Sequence, residues 1–275
     1  MTFSKVFYHD LRCGLGRLRY AIVPLLVLLS LVNYYMVTKG DSLSETWMDI
    51  MCYLFKGAMP MNESSNSNEK VQLPILWIYT IGCSLILTLD YILCDLTQNG
   101  QQVIIRCGNR WQWFMSKCLW NLLSSVCFFM LFAATTALFS LAIDAELSLC
   151  LTPGIWQKHF ETELGNSFSV QQVLLSCLIL PFVTLATLNL LEMTLCLFVK
   201  PILSFLSCIG LLIVAVWIDN DFVLGCGGMT LRNVTLCENA MSLLHRGLVA
   251  IVYIGVCVLV GGLRLKFMDI LPVEE

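Results

Sequence analysis

Two carboxylates, Asp90 and Glu192, fall within apolar stretches of this chain, where a charge at mid-bilayer costs about 2.5–3.5 kcal/mol on insertion scales. Both are intramembrane polar candidates. Each lies toward the expected cytoplasmic end of its stretch, so pairing with Arg or Lys at the interface is a simpler use than a substrate or proton site; Glu192 meets Lys200 only if the helix between them frays. Of three histidines, His159 stands with Glu161 and Glu163 in "HFETE". One imidazole and two carboxylates can hold a metal, but exposed loops also carry such mixtures, and no metal is expected. The sequence has no GxSxG, HExxH or GxxxxGK[ST] pattern, so neither hydrolytic chemistry nor ATP hydrolysis is expected of this chain itself.

The fourteen cysteines suggest a disulfide scaffold until they are placed. Cys83, Cys127, Cys177, Cys196, Cys208 and Cys257 lie in apolar stretches, where Cys acts as a small hydrophobe. Cys13, Cys94, Cys107 and Cys118 fall on the reducing side and Cys52, Cys150, Cys226 and Cys237 outside. No CxxC pair occurs, which argues against a zinc ribbon or a redox motif. Cys226 and Cys237 form one possible outer disulfide, closing a short loop that restricts the unfolded chain by about 3 kcal/mol. The sequons at Asn62 and Asn233 are read as chance matches.

The elements that must position these residues follow from composition. The chain has 275 residues, 58% hydrophobic and 13% charged, with a mean hydropathy of +0.79; a soluble domain has about 45–50% and about 25%. Six stretches approach the length of a bilayer-spanning helix: 20–37, 74–93, 119–143, 173–199, 202–218 and 247–263. The first has no small-residue cleavage site behind it and reads as a helix rather than a signal peptide. Residues 1–19 alternate apolar and basic positions at helical spacing, the pattern of a cytoplasmic interfacial helix, with a charged flank that only orients the first span as the alternative. Within 38–73, Ser42 and Glu45 stand at capping-box spacing before a one-sided apolar run around Trp47, which predicts a short lateral helix. Pro181 should kink the fourth span, "VKP" at 199–201 forces a tight hairpin, and 219–246 fits a re-entrant helical segment whose irregular backbone protein must bury. The expected fold is an all-α membrane protein.

Lys and Arg set the orientation, since cytoplasmic flanks are enriched in them. With the N-terminus inside, ten of the sixteen fall on inner segments and six on outer ones; both termini are then cytoplasmic. No basic patch interleaved with aromatics lies away from the membrane flanks, so nucleic acid is not an expected partner.

The polar segment 94–118 remains. Residues 97–105 read as a short amphipathic helix carrying Thr97, Gln98, Gln101, Gln102 and Ile105. Arg106, Arg110 and Lys117 then flank Trp111 and Trp113, which suit a headgroup boundary. By residue type alone, this is an interfacial linker with anchors at Trp111, Trp113 and Lys117. The set Gly100, Ile104-Ile105-Arg106, Gly108-Asn109-Arg110-Trp111 and Lys117 resembles, however, the cytosolic loop after the second helix of type 2 ATP-binding-cassette (ABC) exporter permeases, of the kind found in bacterial peptide and lantibiotic exporters or immunity systems. The likeness extends to the basic N-terminal helix, six spans, the hairpin between the fourth and fifth, and the outer break before the sixth. It departs in the cysteine content and the lateral helix at Trp47.

The resemblance implies a coupling helix at Thr97, Gln98, Gly100, Gln101, Gln102, Ile105, Arg106 and Arg110. It also implies cytoplasmic ABC ATPase subunits that bind the ATP and Mg this chain does not, and a second permease subunit completing a dimer. It further implies export of a peptide, bacteriocin-like or amphipathic substrate across a bacterial plasma membrane. The alternatives are a non-transporting receptor or assembly factor, and an intramembrane enzyme built on Asp90, Glu192 or His159.

Overall fold

The computed structural model of the chain describes residues 3–15, 20, 22–38, 45–59, 73–89, 91–97, 104, 109–154, 156, 169–218, 220, 222–235 and 240–268. They form helices α1 (Phe3–Leu15), α2 (Val23–Thr38), α3 (Trp47–Leu54), α4 (Ile75–Thr88), α5 (Tyr91–Thr97), α6 (Arg110–Ala142), α7 (Val170–Leu174), α8 (Leu180–Leu195), α9 (Pro201–Trp217), α10 (Thr230–Thr235) and α11 (Ala240–Phe267). A π-helical turn, Leu175–Ile179, joins α7 to α8, and a 3₁₀ turn, Cys226–Gly228, precedes α10. Among the described residues no strand forms beyond a single bridge between Thr46 and Glu146.

Four helical stretches are long and apolar enough to cross a membrane: Ile75–Leu96, Arg110–Ala142, Val170–Leu195 and Leu243–Phe267. Val23–Met36 and Pro201–Trp217 are apolar but shorter. Their outward faces carry exposed Leu25, Leu28, Leu29 and Val32 on α2, Ile202, Leu206 and Trp217 on α9, and Leu248, Ile251, Val252 and Leu259 on α11. Water disfavours apolar surface of this extent on a monomer, whereas lipid accepts it. These features are consistent with a membrane protein.

Several boundaries differ from the apolar stretches in the sequence. The fourth-to-fifth hairpin falls where expected, with Lys200 in extended conformation before Pro201 at the first turn of α9. Helix α6 starts at Arg110 rather than 119, because the Asn109 side chain accepts the Trp111 amide at 2.9 Å and caps it. At 33 residues it is about 50 Å long and exceeds a bilayer core. Its first turns therefore belong to one end of the bundle, packed beside α1, and its last to the other, packed beside α3. The second predicted span divides into α4 and α5 at Leu89, whose φ of −50° and ψ of −107° leave the helical region. The kink expected at Pro181 is relieved just upstream by the π turn; Pro181 itself sits in the first turn of α8, where its missing N–H is tolerated.

The lateral helix near Trp47 forms, but its cap is Thr46, with Asp49 as the reciprocal partner, in place of Ser42 and Glu45. Its face enters the main core with Trp77, Phe128, Phe132 and Leu212. Gly57, at φ +72°, turns the chain after it, and a Cβ there would meet the Met229 side chain at 2.5 Å. The Thr230 and Leu231 amides donate to the Phe55 and Lys56 carbonyls at 2.9 and 3.1 Å. Protein thus buries the irregular backbone before α10. At the α1 end a second core joins Val6, Ile92, Leu96, Trp113, Phe114, Met193 and Leu265. There α6 and α11 cross closely: a Cβ on Gly262 would overlap the Trp111 ring, and one on Gly261 the Phe114 ring.

Candidate functional site

The candidate site is a buried ion cluster at the α1 end, where three helices that pack through an apolar core each contribute one charge. Lys117, on the inward face of α6, is fully buried. Its Nζ lies 2.5 Å from Asp10 Oδ1 on α1 and 2.7 Å from Asp95 Oδ2 on α5. Asp10 is 1% exposed and Asp95 12%. Ser116 Oγ donates to Asp10 Oδ2 at 2.5 Å and Tyr91 OH to Asp10 Oδ1 at 3.2 Å. The ammonium also stands 4.6 Å from the centre of the Tyr91 ring and 5.0 Å from that of Trp113, within cation–π range. Tyr91 in turn stacks on Trp120 at 3.6 Å. One cation thus faces two carboxylates in a nearly dry site, so breaking either pair leaves a charge without water to solvate it.

This geometry recasts the anchors read from the sequence. Trp111 is the most exposed of the three and lies against Gly262. Trp113 and Lys117 are fully buried, and Lys117 binds carboxylates instead of headgroups. Position along α6 explains this: 113 and 117 are one turn apart and share the inward face, while 111 looks outward. Arg110 reaches across to the end of α11, donating from Nη1 to the carbonyls of Leu265, Lys266 and Met268 at 3.1, 3.2 and 2.7 Å, carbonyls that a helix end leaves unpaired. Thr97 ends α5. Gln98, Gly100, Gln101, Gln102, Ile105 and Arg106 lie outside the described residues, as do Asp90, Cys237, His159, Glu161 and Glu163.

Between the two ends runs a polar seam. Asn189 Nδ2 on α8 donates to Ser84 Oγ on α4 and Ser125 Oγ on α6, both at 2.8 Å, and Asn121 Nδ2 donates to the Asn189 carbonyl at 3.2 Å. One turn on, Glu192 is fully buried and its Oε2 accepts from Thr88 Oγ1 at 3.2 Å. Ser204 Oγ on α9 donates to the Glu192 backbone carbonyl at 2.8 Å, while the carboxylate itself takes the Thr88 hydroxyl from α4.

The α3 end holds buried cations of a different kind. Arg232, fully buried, donates to the carbonyls of Ala58, Ala215, Val216 and Ile218 at 2.8–3.3 Å, capping α9 from outside its own chain segment. Cys226 Sγ is 3.1 Å from Arg232 Nη1 and is a free thiol. Asn233 is buried, with Nδ2 on the Ser176 and Gly227 carbonyls and Oδ1 accepting from Arg246 at 2.8 Å; no glycan fits this sequon in the folded chain. Asp49 in α3 accepts from Thr46 and from the Thr152 amide at 3.1 Å. Burial outweighs these bonds and raises its carboxyl above the usual range.

Sequence reasoning missed Asp10, Arg232, Asn233 and Arg246. Asp10 was the one acidic residue in a basic amphipathic helix, a signal of a buried partner; the others sat in a segment too apolar for a free loop.

Fold and site together define a helical bundle with apolar exterior and a hydrogen-bonded, charged interior, the construction of a polytopic membrane protein. The chain belongs to the family described as "Protein of unknown function (DUF2705)", which it matches over residues 25–271. No curated protein and no solved structure matches it.

Proposed function

We propose that the chain is the membrane-spanning permease subunit of an ATP-driven ABC exporter, working with cytoplasmic ATPase subunits and a second permease subunit in a bacterial plasma membrane. On this reading six helices cross the bilayer, the shorter α2 and α9 included, and both termini face the cytoplasm. The cargo is a peptide, bacteriocin-like or amphipathic molecule.

The observation that carries the reading is the double pairing of Lys117 with Asp10 and Asp95. The connection 98–108 leaves α5 within a turn of Asp95 and enters α6 at Arg110, two turns before Lys117. A partner pressing on it therefore moves α1, α5 and α6 as one body, because separating them strands buried charges. Arg110 extends that body to α11 through three carbonyls. Such a rigid base suits force transmission, and the polar seam through Asn189 and Glu192 supplies polar groups between the helices that would shift.

Purification of the tagged full chain from its native membranes tests this. The expected result is a stoichiometric ATPase of the ABC class bound to it, and hydrolysis above that of the ATPase alone after reconstitution in lipid. A chain that purifies with receptors or assembly partners and no nucleotide-binding subunit overturns it in favour of a non-transporting role.

A further inference from the structure

The polar seam contains two buried oxygens whose hydrogen-bonding capacity is unfilled. Asn121 and Asn189 are each 1% exposed, and among the described residues neither Asn121 Oδ1 nor Asn189 Oδ1 accepts a hydrogen bond. Their partners fix which way both amides face. Asn121 Nδ2 meets the Asn189 backbone carbonyl at 3.2 Å, a group that can only accept. Asn189 Nδ2 meets Ser125 Oγ at 2.8 Å; the Ser125 hydroxyl proton is committed to the Asn121 backbone carbonyl at 3.0 Å, so Ser125 accepts from the amide. In each side chain the oxygen is therefore the atom left over. A buried acceptor without a donor is costly, and in a folded protein it points to strain, a water or an ion.

The helices bring further oxygens to the same place. Helices α4 and α8 run from the α3 end to the α1 end, and α6 runs the opposite way. One helical turn from the Ser84–Asn189–Ser125 contact toward the α1 end therefore reaches Thr88 on α4, Glu192 on α8 and Asn121 on α6. Two bonds agree with this shared level: Thr88 Oγ1 lies 3.2 Å from Glu192 Oε2, and Asn121 meets the Asn189 carbonyl, which points along α8 toward Glu192. The group is oxygen throughout, with one carboxylate, two amide carbonyls and one hydroxyl on three helices. Such oxygens suit hard cations rather than softer metals. A single carboxylate balances one positive charge, whereas a divalent ion leaves an excess charge in a dry interior.

We propose that Asn121, Asn189 and Glu192, with Thr88, bind one monovalent alkali cation between α4, α6 and α8. The cation satisfies the two amide oxygens and the carboxylate together, and it ties three helices that are otherwise joined there by neutral hydrogen bonds and packing. Its presence then favours the closely packed arrangement of the seam. The inference does not depend on the exporter reading; it needs only the polar seam.

The test uses the full chain in detergent micelles, dialysed into choline chloride and titrated with sodium chloride at constant ionic strength. Melting temperature is followed, and bound radioactive sodium is counted. The expected result is a melting temperature that rises along a saturating curve, with one sodium ion bound per chain. Glu192→Gln removes the charge while keeping the side-chain shape, and should abolish both the rise and the binding. Asn121→Ala removes one oxygen and should raise the half-saturating sodium concentration by about tenfold or more; it locates the site even where Glu192→Gln folds poorly. Identical melting of the unsubstituted chain in sodium and choline chloride, with no sodium bound, overturns the proposal and leaves the two oxygens to water. A sodium-dependent rise that persists undiminished in the folded variants also overturns it, because the ion then binds elsewhere.

Discussion

Lys117 shows how a single residue type can carry opposite meanings at one sequence position. Beside two tryptophans it has the character of a headgroup anchor, yet its ammonium is held by Asp10 and Asp95. Removing one partner of a buried pair costs about 3–5 kcal/mol, whereas replacing the whole set by apolar residues is often neutral. Lys117→Met should therefore lower the melting temperature sharply, while Lys117→Met combined with Asp10→Leu and Asp95→Leu should recover most of the loss in the same detergent melt. Equal melting of the single and triple variants would mean that the ions contribute only through packing. Asp49 makes a pH prediction. Its folded carboxyl holds a proton to higher pH than the unfolded one, so above the ordinary value of 3.8 the native state binds more protons and stability falls as pH rises. Asp49→Asn should flatten that fall, and parallel melting curves against pH for the two proteins would contradict it.

At the scale of elements, helix existence and the hairpin at 199–201 were legible, and most other helix ends were not. Apolar runs marked the cores of α2, α4, α6, α8, α9 and α11 because lipid-facing and buried faces are both greasy. The runs stopped short at 119 and 247, since hydropathy falls at polar residues whether or not the backbone stays helical; Asn109 carries α6 outward as a cap, and α11 begins at Ala240. The break at Leu89 and the π turn left no periodic trace, being set by neighbours rather than by local composition. The glycine pair 261–262 was equally silent, because close helix approach is a property of two elements. Gly262→Leu forces a side chain into the Trp111 ring and should destabilise by about 1–3 kcal/mol through overpacking. Adding Trp111→Ala should restore part of the melting temperature; no loss in the single variant would show that α6 and α11 can part freely.

For the whole molecule, composition already indicated a membrane bundle, and four helices of spanning length agree with it. Which residues gather at the two ends could not be read from one sequence, since Asp10 and Lys117, or Arg232 and Ala58, meet only after the chain has folded. Two ends of different construction result: a charged base that joins α1, α5, α6 and α11, and a cap in which α3, the π turn and α10 interlock. The proposed exporter uses this asymmetry, receiving force at the base and shifting the cap. ATP hydrolysis by the copurified complex in lipid vesicles, compared between the parent chain and Gln101→Pro, tests that claim most directly. An interior helical proline costs about 3 kcal/mol and should break the helix expected between 97 and 105. The account predicts that hydrolysis drops to the level of the ATPase alone in the variant, with the chain still folded and inserted. Parental hydrolysis and parental ATPase binding in a folded Gln101→Pro chain would contradict it.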